Sequence, residues 1–203
     1  MQSNLLTKNY MLEEFFCDLS KVFDCVNHEI LSTKLHFYGI QGITIGWFRS
    51  YLTNRKQKVE TKSPNSTQNL VSGWGTMKHG ILQGSILGPL LFLVYINDLP
   101  LRINSLAEPI LFADNTSVII SNRNFIEFST TANLVLACMI EWFSANKLIL
   151  NLEKTNIMKF VTNNLPCCAL AIGHKDKYTE EAVNLKFLGI QIDNHLNWKN
   201  HID

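Results

Sequence analysis

Apolar residues recur along this chain in two rhythms, and the rhythms alternate. Phe125, Phe128, Ala132, Val135, Met139, Trp142 and Asn146 follow one another at steps of three and four, which predicts a long amphipathic helix lying on a sheet. Shorter helices are expected from Asp24 or Asn27 as cap to about Tyr38, with Gly39 as the stop, and over residues 44–52, where Ile45, Phe48 and Leu52 share a face. A further apolar helix should run from Pro89 to about Leu101, opened by the glycine-punctuated turn 80–88. Between these lie strand-like runs at residues 14–18, 59–61, 69–76, 157–161 and 185–192, and an alternation of Leu148, Leu150 and Leu152. Residues 64–67 read as a loop. Two apolar runs, 109–111 and 117–120, flank Phe112-Ala113-Asp114-Asn115, the pattern of a hairpin that lifts a carboxylate out of a sheet.

Composition narrows the class. The 203 residues, 46% hydrophobic and 17% charged, suffice for one globular domain, or a domain with part of another, and argue against disorder. Eighteen Lys and Arg against seventeen Asp and Glu leave a net charge of +1, so any contact with nucleic acid has to be local. Cys17, Cys25, Cys138, Cys167 and Cys168 form no C-x-x-C pair and have no His at zinc-finger spacing, which favours a reduced, intracellular setting, cytoplasmic or nuclear. The first fourteen residues lack the apolar block of a secretion signal. The longest apolar run, 86–96, is broken by Gly88-Pro89 and is half the ~20 residues a membrane span needs. A soluble protein without membrane contact is expected, and the Asn65-Ser66-Thr67 sequon is then incidental.

Asp18 and Asp114 each end or interrupt a strand-like segment, so adjacent strands can bring them together. Hard oxygen ligands on rigid strands suit Mg²⁺, which keeps water and completes its shell with substrate phosphates. Two such ions serve an in-line phosphoryl transfer. A strand-end or capping role for Asp18, and a turn role for Asp114, are the plainer readings of each residue alone.

Their surroundings add a resemblance. Residues 15–28, Phe-Phe-Cys-Asp-Leu-Ser-Lys-Val-Phe-Asp-Cys-Val-Asn-His, resemble the first palm motif of reverse transcriptases from retrotransposons without long terminal repeats, the jockey-like LINE elements. Residues 80–92, Gly-Ile-Leu-Gln-Gly-Ser-Ile-Leu-Gly-Pro-Leu-Leu-Phe, resemble the second, and Phe112-Ala113-Asp114-Asn115 the third. Residues 146–155 resemble the fourth, and Phe187-Leu188-Gly189-Ile190 the primer grip.

The resemblance implies RNA-directed DNA synthesis with Mg²⁺, or Mn²⁺ in its place, on an RNA template and a DNA primer with deoxynucleoside triphosphates. Asp18 and Asp114 would be the metal-binding acids, and Asn115 and Lys154 the other catalytic positions, the lysine protonating pyrophosphate. Phe23 would be the aromatic gate under the incoming sugar; a core aromatic is the other reading. Gln83, Gly84 and Ser85 would line the nucleotide pocket, or form a plain loop-to-helix junction. Phe187, Leu188 and Gly189 would support the primer end. Arg49, Arg55, Lys56 and Lys58, near Trp47 and Tyr51, can track a phosphate backbone or form a solvated face.

Two departures matter. Asn115 stands where the family has a second aspartate, and Leu82 precedes Gln83 where a proline is usual. The resemblance, together with the mixed helix and strand pattern, implies an α+β fold class: a polymerase palm-like antiparallel sheet backed by helices on one face, with fingers truncated and thumb absent. Residues 1–203 are expected to form one reverse transcriptase domain, palm with partial fingers, as a fragment. Weak or absent turnover is expected, and the alternative function is a non-catalytic nucleic-acid-binding remnant of a decayed element.

Overall fold

A computed structural model describes residues 11–19, 21–62, 69–113, 115–151, 153–160, 173–174, 177–178, 180–197 and 199–202. The chain divides into two compact units, one of residues 21–96 and one of residues 1–20 with 97–203.

The second of these is built on a five-stranded sheet. Its strands are β1 (Met11–Cys17), β6 (Glu108–Phe112), β7 (Asn115–Asn122), β8 (Asn156–Phe160) and β11 (Glu180–Glu181), in the order β11-β8-β1-β7-β6. All pairings are antiparallel except β11 with β8. β1 is central, Phe15 lying opposite Val118 on one side and Ile157 on the other. Because side chains alternate across a strand, this register sorts residues into two faces. Phe15, Cys17, Val118, Ile120 and Ile157 share one face and are all buried. That face is covered by α6 (Phe125–Ala145), which packs on β7 and on α5 (Leu99–Ile103).

The buried residues of α6 are Phe128, Ala132, Val135, Leu136, Met139, Trp142 and Phe143. Leu136 and Phe143 thus widen the expected stripe, while Phe125 sits at its rim. Asn124 caps the helix, its side-chain oxygen accepting the Ile126 N–H at 2.9 Å. Fully burying a side chain such as Phe15 stabilises by roughly 1.5–3 kcal/mol.

The opposite face carries Phe16, Met158 and Phe160, on which pack Leu12, Leu185, Phe187 and Ile192. The last three belong to a hairpin, β12 (Asn184–Phe187) and β13 (Ile190–Asp193), which is hydrogen-bonded within itself as a separate two-stranded sheet. The segment 185–192, expected as one strand, therefore folds back. Leu188 (φ 49) and Gly189 (φ 85) both take positive φ, the backbone of a two-residue hairpin turn. β9 (Gly173–His174), β10 (Lys177–Tyr178) and α7 (Lys199–Ile202) complete the unit. The expected strand around Leu148, Leu150 and Leu152 reduces to one bridge, Leu19 to Leu150; Leu152 lies outside the described residues.

In the 21–96 unit, α1 (Val22–Cys25) precedes α2 (His28–Phe37). Asn27, not Asp24, is the cap of α2, accepting from the N–H groups of Glu29 and Ile30. α3 (Ile43–Leu52) buries Leu52 and half-buries Ile45 and Phe48, as its pattern predicts. An exposed ribbon follows, β2 (Lys56–Gln57) pairing with β5 (Gly75–Thr76) and β3 (Glu60–Lys62) with β4 (Asn69–Val71). α4 (Leu87–Ile96) ends sooner than expected. Asn97 and Asp98 interrupt the helix because Pro100, which has no N–H to donate, occupies the first turn of a new helix, α5.

Candidate active-site cleft

Asp18 is the first residue past β1 and lies on the face of Phe16, away from α6. Its carbonyl accepts the Asn151 N–H at 2.9 Å, next to the Leu19–Leu150 bridge, which fastens the turn after residue 150 to the end of β1. That turn is tight. Asn151 O accepts from the N–H groups of Lys154 (3.1 Å) and Thr155 (2.9 Å) and from Thr155 Oγ1 (2.8 Å), while Asn156 Nδ2 donates to Lys154 O at 3.0 Å. Lys154 is held beside Asp18 by these bonds, although 136 residues separate the two.

Asn115 opens β7, paired with Phe112, and Ala113 before it has φ 52, as a tight hairpin turn requires. Asp114 lies outside the described residues. The pairing of Cys17 with Thr116 places Asn115 on the same sheet face as Asp18. Here a cleft of about 230 Å³ is lined by Asp18, Asn115, Lys154 and Asn156 along the sheet, with Phe16 below and Leu185, Lys186 and Phe187 of the hairpin opposite. The Phe187 ring meets Phe16 edge-on, centroids 4.9 Å apart. Cys17 also borders the cleft, and burial pushes its thiol up to about 12. Leu188 and Gly189 form the turn at the hairpin tip, Leu188 largely exposed.

Thus the cleft gathers Asp18, Asn115, Lys154 and Phe187. Lys186, Asn151 and Asn156 were missed by sequence reasoning. Lys186 precedes the Phe-Leu-Gly triplet and shows no signal beyond its charge, and the two asparagines look like ordinary turn residues until the Asn151 bond to Asp18 is seen. The described side-chain oxygens of the cleft belong to the Asp18 carboxylate and the Asn115 and Asn156 carboxamides, with the Lys154 and Lys186 ammonium groups alongside. Their chemistry suits a hard divalent cation that retains water and meets phosphate, though an amide brings no charge. Among the described residues no three His, Cys, Asp or Glu side chains cluster as a metal site.

The remaining expected site residues fall in the 21–96 unit. The Phe23 ring is half-buried and packs 5.3 Å from Phe92. The turn 80–88 is fastened to the same segment, the Gly80 N–H donating to Val26 O (2.8 Å) and the Ile81 N–H to Phe23 O (2.7 Å), while His28 Nε2 bonds Gly80 O (2.7 Å). Phe23 and the turn are thereby held together. Gly80 has φ +87, and a Cβ there would lie 3.0 Å from the backbone of Phe23 and Asp24. Gly80→Ala is expected to cost about 2–3 kcal/mol, since backbone strain and a backbone clash combine, and urea unfolding would register it.

Gln83 and Gly84 are exposed at the turn's tip. Ser85 is not a free contact. Its Oγ donates to Leu82 O (2.7 Å) and accepts from Gly88 N (3.0 Å) and the Tyr51 hydroxyl (3.0 Å), which uses one donor and two acceptors. Of the basic residues, Arg55 lies against the Tyr51 ring, its guanidinium carbon 4.1 Å from the centroid, and Lys58 Nζ sits 5.5 Å from the Trp74 ring centroid. Lys56 is exposed in β2, and Arg49 lines a groove of about 600 Å³ between α2 and α3.

The family model described as reverse transcriptase (RNA-dependent DNA polymerase) matches residues 7–192. The chain belongs to the reverse transcriptase family. Among curated relatives of this reverse transcriptase chain, the probable RNA-directed DNA polymerase from transposon BS of Drosophila melanogaster is 26% identical over 199 residues, covering 92% of this chain and 20% of the relative. The RNA-directed DNA polymerase from mobile element jockey of the same fly is 24% identical over 194 residues, again 92% and 20%. The chain thus spans about a fifth of the length of the curated relatives it matches. In fold it resembles apo telomerase from Candida tropicalis truncated from its C-terminal domain, with TM-score 0.62 and 15% identity over 97% of this chain and 37% of that one. Telomerase of that yeast in complex with a TWJ fragment of telomeric RNA matches at TM-score 0.57 and 13% identity, covering 97% and 31%. No helix among the described residues is long and apolar enough to cross a membrane.

Proposed function

We propose that this chain is the palm, with part of the fingers, of a retrotransposon reverse transcriptase, and that its ancestral reaction is RNA-directed DNA synthesis. The observation that carries the reading is the convergence of Asp18, Asn115, Lys154 and Phe187 on one cleft, from four segments far apart in sequence. An RNA template, a DNA primer and deoxynucleoside triphosphates are the substrates, and the setting is intracellular, cytoplasmic or nuclear.

Asp18 and Asp114 are the residues that would hold Mg²⁺, or Mn²⁺. Such ions, when bound, neutralise the attacking primer 3′-oxygen, the α-phosphate and the departing pyrophosphate. Lys154 presents a proton to pyrophosphate as it leaves. Phe23 abuts the sugar, and Gln83 and Gly84 line the base's surroundings with Ser85 as their brace. Phe187, with Leu188 and Gly189 at the turn, backs the primer end. Arg49, Lys56 and Lys58 meet phosphate along the nucleic acid.

Asn115 favours reduced turnover. Primer extension on an RNA template with Mg²⁺ or Mn²⁺ is expected to be weak or absent for the unaltered chain. Extension gained by Asn115→Asp is expected to vanish again in the Asp18→Asn, Asn115→Asp double variant. Ready extension by the unaltered chain would overturn the impairment. Persistent extension after Asp18→Asn would overturn the site. Salt-dependent primer-template binding without extension, even after Asn115→Asp, is instead the behaviour of a non-catalytic remnant.

A further inference from the structure

Tyr51 touches two of the proposed ligand-contacting elements of its unit at once. The hydroxyl donates to Ser85 Oγ in the turn 82–88, and the ring carries the Arg55 guanidinium on its face. Trp47, from one turn earlier in α3, stacks near-parallel at 6.1 Å and 16°. Arg55 is bound a second time, Nε donating to Tyr51 O at 2.6 Å. Both bonds leave the two terminal guanidinium nitrogens without a hydrogen bond among the described residues. A half-buried arginine with its inner nitrogen fixed, its plane against a ring and its outer fork open is prepared to receive an oxyanion.

We propose that Arg55 binds phosphate oxygens of the incoming nucleotide's triphosphate, and that Tyr51 is a positioning residue that registers this guanidinium against the turn carrying Gln83 and Gly84. The inference rests on the reading of that turn as the nucleotide pocket, and it moves Arg55 from the nucleic-acid backbone to the nucleotide. The chemistry differs for the neighbouring cations. Lys56 and Lys58 are exposed on the ribbon, Lys58 beside the Trp74 ring, and as point charges without a planar fork they suit a strand of phosphodiesters. Arg55 is fixed at one end by Tyr51, which is itself bonded to the turn, so its distance from Gln83 and Gly84 is set by one rigid ring. Tyr51→Phe removes the bond to Ser85 while keeping the ring under Arg55. It therefore separates positioning from packing.

Phosphate from a triphosphate and phosphate from a nucleic-acid strand are distinguished by two equilibrium titrations without turnover, one with mant-dATP and one with a fluorescein-labelled oligonucleotide. Arg55→Gln is expected to weaken mant-dATP binding about tenfold and Tyr51→Phe about threefold, with oligonucleotide affinity changed less than about twofold. Arg55→Lys should recover only part of the loss, because a lysine lacks the planar fork. Inorganic tripolyphosphate should displace mant-dATP from the unaltered chain and fail to do so from Arg55→Gln. Loss of oligonucleotide binding with mant-dATP unaffected, equal losses of both, or no mant-dATP binding by the unaltered chain would each overturn the assignment. None of these bears on the cleft at Asp18, whose test is primer extension.

Discussion

Asn115→Asp is expected to raise Mg²⁺-dependent primer extension by on the order of a thousandfold. Residue 115 opens β7 on the same face as Asp18 and lines the same cleft, so a carboxylate there would add a full charge where the proposed ions sit. Unit charges ~4 Å apart at an effective dielectric near 20 interact by about 4 kcal/mol, and a divalent ion roughly doubles this. If about half is lost to desolvation, about 4 kcal/mol remains, which is about three powers of ten in rate. The substitution is close to isosteric, so a change in extension without a change in melting temperature would assign the effect to charge. An increase below about tenfold would place the main defect elsewhere than the missing carboxylate.

Glu13 sets the second large expectation, in the pH dependence of folding. It lies on the helix-covered face of β1 with almost no exposure, and among the described residues neither carboxyl oxygen has a hydrogen-bond partner. Lys159 Nζ is 3.9 Å away but sits closer to Glu181, at 2.8 Å. Burial pushes the Glu13 carboxyl up from 4.5 to about 7, Lys159 opposing the rise and Glu181 adding to it. Between these two values the folded chain keeps a proton that the unfolded chain has released. Stability therefore falls as pH rises from about 4.5 and levels off above about 7.

The span corresponds to on the order of 3 kcal/mol at 1.36 kcal/mol per unit. Urea unfolding between pH 5 and 8 is expected to show this decline in the unaltered chain and to lose most of it in Glu13→Gln, which should be the more stable form at pH 8. A residual slope of the same sign belongs to Glu14, whose carboxyl burial also raises. Were Glu13→Gln less stable at every pH, the Lys159 pair would outweigh the burial of the charge.

Local signals account for much of this fold. Alternating threes and fours placed α6, the two capping candidates Asp24 and Asn27 bracketed the start of α2, and two apolar runs about a short acidic turn placed β6 and β7. They failed where the deciding partner is distant or the turn chemistry is unusual. Leu188-Gly189 lacks the Asn-Gly or Asp-Gly that marks a two-residue hairpin, and a leucine at φ 49 is tolerated there only because Phe187 and Ile192 are held by the core. Pro100 was read as part of a continuing helix, although a proline so placed starts one more readily than it extends one.

The site divides in the same way. That Asp18 and Asn115 share a face follows from strand alternation once β1 and β7 pair. Lys154 reaches them through the pairing of β8 with β1, which sets Asn156 opposite Phe16, together with the Leu19–Leu150 bridge and the bond from Asn151 to Asp18, none of which a local pattern announces. The buried acid Glu13 went unread because an Glu-Glu pair ahead of Phe15 looks like the solvated start of a strand.

The two sides of the cleft are secured by different forces. Asp18 and Asn115 sit at the ends of strands locked into a ladder, and Lys154 on a turn bonded to that ladder, whereas Phe187 belongs to a ribbon joined to the sheet by aromatic and aliphatic contact. Ladder bonds are lost in whole units, while dispersion contact declines gradually with displacement. A load on the cleft is consequently taken up first by displacement of the hairpin, while Asp18, Asn115 and Lys154 keep their mutual spacing.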